Sequence, residues 1–216
     1  MSSLAKINNP KIYTLGVKKF VGAIHFPMIQ TTFLPQNIGY EKYEVVIFTS
    51  QIAITHALQD KNKWKDKVVL CVGDPSRELL LSEGITRVFT PKINNASSLI
   101  NEHLSLLKNQ KTLYLRGEKI ATNLKTLLSS QNITIDEVIT YQTHCKEIST
   151  AQPDIGSYVI LSSPFIVQCF AQKYNLNDYK LIAIGKKTAS FIPKSTPFSL
   201  SQTTNIDQII QKLQKN

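Results

Sequence analysis

The sequence lacks the motifs that most cofactor-dependent and metal-dependent enzymes carry. No two of its eight glycines stand two residues apart, so the GxGxxG turn of dinucleotide-binding proteins is absent. A phosphate-binding loop of the type GxxxxGK followed by Ser or Thr is absent as well, as is the zinc-binding pattern HExxH. The four histidines are scattered along the chain. Nucleotide and metal chemistry therefore find no support in the sequence.

Cysteines and long apolar runs are also scarce. The three cysteines form no CxxC pair, and two of them, Cys71 and Cys169, stand in apolar segments that predict buried thiols. No stretch approaches the roughly 18 apolar residues of a membrane span. Residues 1–9 contain no apolar core of a signal peptide. These features predict a cytoplasmic protein without a membrane partner.

Arginine is rare although the chain is basic. The net charge is +10, but only Arg77, Arg87 and Arg116 occur among the 25 basic residues. Nucleic-acid-binding proteins use arginine for base edges and phosphates, so the charge favours a small polyanionic ligand over nucleic acid. The densest run of lysines, residues 61–67, surrounds Trp64 and is typical of a solvated connection before a strand.

The stretch around which the chain is organised is Tyr43–Leu58. The apolar run Val45–Phe48 predicts a buried strand, and the apolar positions within residues 52–58 predict a helix that packs one face inward. Thr49 or Ser50 stands where the hydroxyl of a helix N-cap belongs.

The same pattern recurs later in the chain. Tyr158–Ala171 resembles the first unit, with Ser163 at the place of Ser50. A second pair of segments is related by nearly the same offset along the chain, and its matched positions are Gly73 with Gly185 and Ser76 with Thr188. Two strand–turn–helix units at nearly one offset predict two copies of one α/β half. Chance similarity between short α/β units is the alternative.

Strands alternate with helices along the chain, which predicts parallel sheets covered on both faces. The segment after residue 145 contains too few strands for a sheet, so we expect the first strand, residues 11–15, to join it. The simplest arrangement has one domain inserted in the other. Residues 1–32 and 141–216 then form a discontinuous α/β domain, and residues 33–140 form the inserted α/β domain.

Turns at the predicted strand ends are candidate sites for anions. Ligands bind beyond the carboxyl ends of strands in open α/β sheets, and free N–H groups at a helix start favour anionic groups by about 0.3–1 kcal/mol. The turns are Thr49-Ser50, Gly73–Ser76, Arg116-Gly117, Ser162-Ser163 and Gly185–Thr188. An ordinary N-cap is the alternative role for each hydroxyl, and the repetition of these turns favours a ligand.

Tyr141 is the candidate for acid–base chemistry. It lies in residues 138–144, which we expect to pair with residues 27–32 as a two-stranded linker between the domains. Its phenol can donate a proton to a leaving hydroxyl group. The alternative is a strand tyrosine that only packs against one domain.

Taken together, the motifs resemble the uroporphyrinogen-III synthase family over nearly the whole chain beyond residue 27. Those that carry the resemblance are I-F-T-S (47–50), V-G-D-P-S (72–76), L-Y-L-R-G (113–117), V-I-T-Y-Q-T (138–143), L-S-S-P (161–164) and A-I-G-K-K-T-A (183–189). The resemblance implies two flavodoxin-like parallel-sheet domains, one inserted in the other and joined by a two-stranded linker.

The resemblance also implies a reaction. Enzymes of this family cyclise hydroxymethylbilane, a linear tetrapyrrole with eight carboxylates, with inversion of ring D and loss of water through a spiro intermediate. This is the chemistry of a carbon-oxygen lyase, a hydro-lyase, in heme biosynthesis. The implied enzyme needs no cofactor and no metal, binds only its small-molecule substrate and is a monomer.

The family resemblance assigns roles to particular residues. Tyr141 corresponds to the favoured proton donor. Ser50, Ser76, Ser163 and Thr188 correspond to ligand contacts at the strand ends, and Gly73, Gly117 and Gly185 shape the turns.

The sequence departs from the family pattern in three places. Gln51 follows Ser50 where proline is frequent. Lys186 and Lys187 replace a proline–threonine pair, and they either bind carboxylates or are only exposed. Too few residues separate the first two strands for a full first helix, and the expected N-terminal arginine is missing, with Lys18 or Lys19 as its possible substitutes.

A protein of another class would share these features. A non-catalytic two-lobed binding module for a small anionic ligand would use the same N–H groups at the strand ends. In that alternative Tyr141 would be dispensable, and the ligand would leave unchanged.

Overall fold

The computed structural model describes residues 10–120, 122–148 and 151–215, so the expectation for residues 1–9 lies outside the described residues. The strands in chain order are β1 Ile12–Thr14, β2 Ile24–His25, β3 Ile29–Phe33, β4 Val45–Phe48, β5 Val68–Cys71, β6 Val88–Phe89, β7 Thr112–Gly117, β8 Ile135–Cys145, β9 Tyr158–Leu161, β10 Lys180–Ala183 and β11 Phe198–Leu200. The α-helices are α1 Gln51–Ala57, α2 Asp74–Ser82, α3 Ala96–Glu102, α4 Leu124–Ser129, α5 Pro164–Ala171, α6 Lys186–Ala189 and α7 Ile206–Gln214.

The chain divides into two compact units. Unit 1 contains the residues up to Gln30 and those from His144 onward, and unit 2 contains Thr31–Thr143. Both units are α/β structures with predominantly parallel sheets, which confirms the predicted fold class. The domain limits expected at residues 32–33 and 140–141 stay predictions.

Unit 1 has a five-stranded sheet in the order β11-β10-β9-β1-β2, and all its neighbouring strands are parallel. β1 pairs with β9, with Tyr13 opposite Val159. The expectation that the first strand joins the C-terminal segment is therefore confirmed. Without β1, one edge of the buried strand β9 would keep unpaired N–H and C=O groups, which are costly in a protein interior.

Unit 2 has a six-stranded sheet in the order β3-β8-β7-β4-β5-β6. The strands from β8 to β6 are parallel. β3 pairs with β8, and the flanking bonds from Leu34 N–H to Thr140 O and from Lys146 N–H to Met28 O follow the antiparallel order. Both strands continue from one unit into the other.

The two sheets share one spatial order of strands, in which β4 and β9 are equivalent. Val45 begins β4 and Tyr158 begins β9, and these two residues are separated along the chain by the same distance as Ser50 and Ser163. The residues paired with them in neighbouring strands are Val68 and Thr112 for Val45, and Lys180 and Ile12 for Tyr158. Val68 and Lys180 are in turn related by the offset that relates Gly73 and Gly185. The registers of the two sheets therefore agree with the sequence repeat.

The connections of the two sheets differ by a permutation. The counterparts of β7 and β8, which follow β6 in unit 2, are β1 and β2 at the start of unit 1. Numbered within each unit, the order is 2-1-3-4-5 in unit 1, as in flavodoxin. It is 3-2-1-4-5 for the parallel strands of unit 2, as in the first five strands of dinucleotide-binding sheets. The parallel strands of unit 2 begin with β4, the counterpart of β9, and end with β8, the counterpart of β2, so the two units are circular permutations of one strand order.

The apolar run Val45–Phe48 fills the interior of unit 2 on both faces of the sheet. Val46 and Phe48 pack in the cluster that contains Trp64, and Val45 and Ile47 pack on the opposite face. All four side chains of the run are at most 1% exposed, and each contributes about 1.5–3 kcal/mol by its burial. Burial on both faces explains why this strand shows no alternation of polar and apolar residues.

The connection between β1 and β2 contains bends and a turn and no helix, as expected from its length. Phe20 and Ala23 pack instead into the cluster formed by α7 and the sheet. Gly22 has a φ of +81°, and a Cβ at this position would lie 2.6 Å from Nε2 of Gln214, so a glycine is needed there.

The prediction that Cys169 is a buried thiol is wrong. Cys169 is buried but forms a disulfide with Cys145, 24 residues earlier in the chain. The sequence did not show this pairing because the two residues are brought together only when β8 and α5 pack in unit 1. Cys71 is a buried free thiol as predicted, and burial raises its pKa to about 12.

No helix in the described part of the chain is long and apolar enough to cross a membrane.

The disulfide leads to a prediction about thiols. Denatured without reductant, the protein should react with Ellman's reagent at Cys71 alone, and at all three cysteines after reduction. Because the bond constrains the unfolded chain, reduction should lower the free energy of unfolding by about 3 kcal/mol. A variant with Cys145→Ser and Cys169→Ser is the control, because its stability should not respond to reductant. Three reactive thiols without reductant would contradict the bond.

Candidate active site

Tyr141 and Ser50, both predicted from the sequence, lie together at the carboxyl edge of the unit 2 sheet. The phenol of Tyr141 donates a hydrogen bond to Oγ of Ser50 over 2.9 Å. Ser50 is the N-cap of α1, and its Oγ also accepts from the N–H of Ile52 over 3.2 Å. Both acceptor positions of this Oγ are therefore in use, and the hydroxyl hydrogen of Ser50 is left to donate to another group.

A β-bulge aims the side chain of Tyr141. Ile139 lies opposite Arg116 in the β7–β8 pair, and the next matched pair is Gly117 with Tyr141, so Thr140 is an extra residue. In a regular strand, residues three apart face opposite sides of the sheet. Val138 and Tyr141 nevertheless pack against the same hydrophobic cluster. The bulge therefore turns the phenol of Tyr141 onto the face where α1 and Ser50 lie.

Gly117 makes room for the ring of Tyr141. A Cβ atom at residue 117 would lie 2.6 Å from Cζ and 2.8 Å from the hydroxyl oxygen of Tyr141. No real Cβ contact is this short, so any other residue would displace the ring. Gly117 was expected to shape a turn. In the structure its backbone instead lies in close contact with the ring of Tyr141, the predicted proton donor.

A cavity of about 370 Å³ opens beside these residues in unit 2. Its lining consists of Thr49, Ser50, Val72, Asn94, Asn95, Ala96, Tyr114, Gly117, Lys119, Ile120, Thr122 and Tyr141. Thr49, Ser50 and Val72 directly follow β4 and β5, whereas Tyr114 and Gly117 lie in β7 and Tyr141 lies in β8. The other lining residues lie between β7 and α4 or at the start of α3. A cavity at the carboxyl ends of parallel strands is where an α/β sheet binds ligands.

The cavity contains a second hydroxyl pair that the sequence analysis missed. Oγ1 of Thr49 and the hydroxyl of Tyr114 lie 2.7 Å apart. Burial raises the pKa of Tyr114, although its hydrogen bond with Thr49 and the positive charge of Arg116 act in the opposite direction. Tyr114 therefore keeps its proton at neutral pH. Tyr114 belongs to the motif L-Y-L-R-G, which could have marked it as a site residue. No sequence pattern reveals its contact with Thr49, because the two residues are far apart in the chain.

Gly73 and Ser76 form the start of α2 in unit 2. Gly73 is the N-cap and has a φ of +89°, which other residues rarely adopt. Ser76 is 4% exposed, and its N–H donates to the carbonyl of Gly73 over 3.1 Å. The glycine is needed for the turn, whereas Ser76 faces the protein interior.

The remaining predicted residues lie in unit 1, at the carboxyl ends of β9 and β10. Ser163 is the N-cap of α5, and its Oγ accepts from the N–H of Ile166 over 3.2 Å. Gly185 is the N-cap of α6, and Lys186 is the first residue of that helix. Thr188 is 4% exposed and occupies the place in unit 1 that Ser76 occupies in unit 2.

Gly185 differs from Gly73 and Gly117 in having no conformational or steric reason to be a glycine. Its backbone is extended, with a φ of −170°, and a Cβ would meet no atom within 4 Å. Of the N-terminal lysines, Lys18 lies over the ring of Phe20, 5.2 Å from its centroid. Nothing in the described residues of unit 1 marks either Lys18 or Lys19 as a ligand contact.

Within residues 10–120, 122–148 and 151–215, no three His, Cys, Asp or Glu side chains are grouped so that they can hold a metal ion.

Comparison with known proteins connects this geometry to a family. A model of the family described as uroporphyrinogen-III synthase HemD matches residues 14–204. No curated protein matches the sequence. The structure is similar to that of uroporphyrinogen-III synthetase from Helicobacter pylori 26695, with a TM-score of 0.80 and 17% sequence identity over 95% of this chain and 98% of that one.

A second similar structure is that of a mutant uroporphyrinogen III synthase from the extreme thermophile Thermus thermophilus. The TM-score is 0.57 and the identity 12%, again over 95% of this chain and 98% of that chain. At such identities the structural matches establish the fold, whereas the family match spans most of the sequence. The chain belongs to the uroporphyrinogen-III synthase family, a family of lyases.

Proposed function

We propose that this protein is a uroporphyrinogen-III synthase that cyclises hydroxymethylbilane, with inversion of ring D and loss of water. In this reaction it acts as a hydro-lyase, that is, a carbon-oxygen lyase. The observation that supports the proposal most directly is the phenol of Tyr141, held by Ser50 over the backbone of Gly117 in the unit 2 cavity. Family membership specifies the substrate, and this phenol supplies a proton donor for it.

The proposed chemical step begins with the hydroxymethyl group of the substrate. The phenolic hydrogen of Tyr141 turns from Ser50 to the hydroxyl oxygen of the substrate and is transferred to it, the C–O bond breaks, and water leaves. The resulting cation is attacked by the substituted carbon of ring D, which gives the spiro intermediate. Rearrangement inverts ring D and releases one proton, which restores the phenol. Because the cation is reactive unaided, the main work of the protein is to hold the substrate so that the correct carbon attacks.

The substrate is proposed to bind through its carboxylates. In unit 2, Asn94, Asn95 and Lys119 supply amide groups and a positive charge at the cavity. In unit 1, the starts of α5 and α6 at Ser163 and Gly185 offer N–H groups, and Lys186 adds a charge. We assign Gly73, Ser76 and Thr188 to the formation of these helix starts, since the two hydroxyl-bearing residues are nearly buried.

The proposed partner is this substrate alone, bound by a monomer without cofactor, metal or nucleic acid. The lysine run before β5 supports this view. Lys61 pairs with Glu83 over 3.0 Å, and Lys63 pairs with Asp60 over 2.6 Å, so part of its charge is already neutralised. The proposed location is the cytoplasm, on the sequence grounds given above. The Cys145–Cys169 bond counts against that location, because disulfides are rare in reducing compartments.

The activity is tested by supplying hydroxymethylbilane and separating the products. We expect the type III isomer as the main product, because the protein must direct the inversion of ring D. Hydroxymethylbilane without protein is the control, since it closes spontaneously to the type I isomer. If only the type I isomer forms, or if the substrate binds and leaves unchanged, the protein is a binding module and no synthase.

The role of Tyr141 is tested by Tyr141→Phe, which removes the hydroxyl and keeps the ring. We expect kcat to fall about 10- to 100-fold, because one positioned proton donor is lost while substrate positioning remains. The Michaelis constant should change little. Turnover equal to that of the unchanged protein would remove the proton-donor role.

The contact at Gly117 is tested by Gly117→Ala, with Gly185→Ala as the matched control. The new Cβ must push the ring of Tyr141 away, so we expect a loss of kcat similar to that of Tyr141→Phe and a destabilisation of about 1–3 kcal/mol. Gly185→Ala meets open space on an extended backbone, so thermal melting should leave its stability within about 0.5 kcal/mol of the unchanged protein. Full activity in Gly117→Ala would show that the ring position is unimportant.

A further inference from the structure

Arg116 and Glu137 form a largely buried ion pair that the proposed reaction does not use. Arg116 lies on β7 and Glu137 on β8, and Nη2 lies 3.3 Å from Oε2. Their side chains are 15% and 16% exposed, compared with 33% and 39% for Lys61 and Glu83 in the same unit. Neither residue lines the unit 2 cavity. Because desolvation makes such a pair costly, its placement calls for a reason other than stability.

The ion pair is not arranged for the strongest attraction between its members. A guanidinium can bind a carboxylate through two parallel hydrogen bonds, but here Nε of Arg116 and Oε1 of Glu137 are buried without partners. The guanidinium instead donates from Nη1 to the carbonyls of Gly117 and Glu118, over 3.0 and 3.3 Å. The guanidinium of Arg116 is therefore placed to anchor the end of β7 and not to form two parallel hydrogen bonds with Glu137.

The anchored end of β7 is attached to the strand segment that carries Tyr141. The N–H of Glu118 donates to the carbonyl of Tyr141 over 3.0 Å. On the other side of the bulge, Oγ1 of the fully buried Thr140 donates to the carbonyl of Arg116 over 3.3 Å. The side chain of Gln142 also bonds to the carboxylate of Glu118, over 2.9 Å. Residues 116–118 thus hold the bulge on both sides of Tyr141.

We propose that Arg116, held in place by Glu137, is a positioning residue for the phenol of Tyr141. The proposal rests on the proposed function, in which that phenol is the proton donor. Arg116 acts through the backbone of Gly117 and Glu118, whose carbonyl groups it binds. This contact keeps β7 and β8 in the shifted register, and the shifted register turns Tyr141 toward Ser50. Since Arg116 lies outside the cavity lining, its loss acts on the chemical step more than on substrate binding.

The first test is Arg116→Lys, which keeps the charge but loses the planar fork that reaches two carbonyls and a carboxylate. With hydroxymethylbilane as substrate, we expect kcat to fall about tenfold and the Michaelis constant to stay within about twofold, because a misplaced donor slows the reaction without releasing the substrate. Glu83→Gln, which breaks the exposed ion pair of the same unit, should leave both constants unchanged. A rise in the Michaelis constant alone would overturn the proposal.

The second test asks whether the effect passes through Tyr141. In the Tyr141→Phe background, Arg116→Lys should change kcat by less than about twofold, because the group that it positions is already missing. An equal loss in both backgrounds would show a merely structural role. If Arg116→Lys does not fold, Glu137→Gln replaces it with the same expected results, because it keeps the volume of the side chain and removes its charge.

A readout that is independent of activity separates this proposal from the proposed function. In protein labelled with ¹³C at the tyrosine ring, the Cζ resonance of Tyr141 is the one that Tyr141→Phe removes. Arg116→Lys should shift this resonance, and Glu83→Gln should not. If the unchanged protein makes no type III product, the proposed function fails, while a shifted resonance still supports the positioning of Tyr141. An unshifted resonance overturns the positioning role even in an active enzyme.

Discussion

The close contact between the ring of Tyr141 and the backbone of Gly117 is the constraint on which the candidate site depends. Gly117 has no side chain, so the ring can lie against β7 and reach Ser50 with its hydroxyl. The bulge at Thr140 makes this possible, because without the extra residue Tyr141 would face the other side of the sheet. One extra residue in the pairing of β7 and β8 thus creates the geometry on which the proposed acid catalysis depends.

Parallel sheets that are buried on both faces leave few places for polar chemistry. Val45–Phe48 is apolar throughout, so the first polar groups of this chain segment are the hydroxyls of Thr49 and Ser50. Each of these neighbouring hydroxyls bonds to a tyrosine, Thr49 to Tyr114 and Ser50 to Tyr141. The two tyrosines come from the adjacent strands β7 and β8. Strand order, and not proximity in sequence, therefore gathers four hydroxyl groups at one cavity.

The same sheet is built twice, with different connections. In unit 2 all the parallel strands follow one another along the chain, whereas unit 1 takes two of its five strands from before the insertion. The registers beside β4 and β9 agree, so the spatial structure tolerates the permutation. The residues between β1 and β2 also show that a full crossover helix is not required, because Phe20 and Ala23 pack against α7 in its place.

The sequence by itself determined the α/β class, a hydroxyl N-cap at either Thr49 or Ser50, and the joining of the first strand to the C-terminal segment. Periodicity, turn residues and repeats are local signals, and they specify which elements form and which strands need partners. Only the tertiary structure decided that Tyr141 meets Ser50, that Tyr114 pairs with Thr49 and that Cys169 binds Cys145. These contacts join residues distant in sequence, and a one-residue shift between two strands reverses the direction of a side chain without any change in local composition.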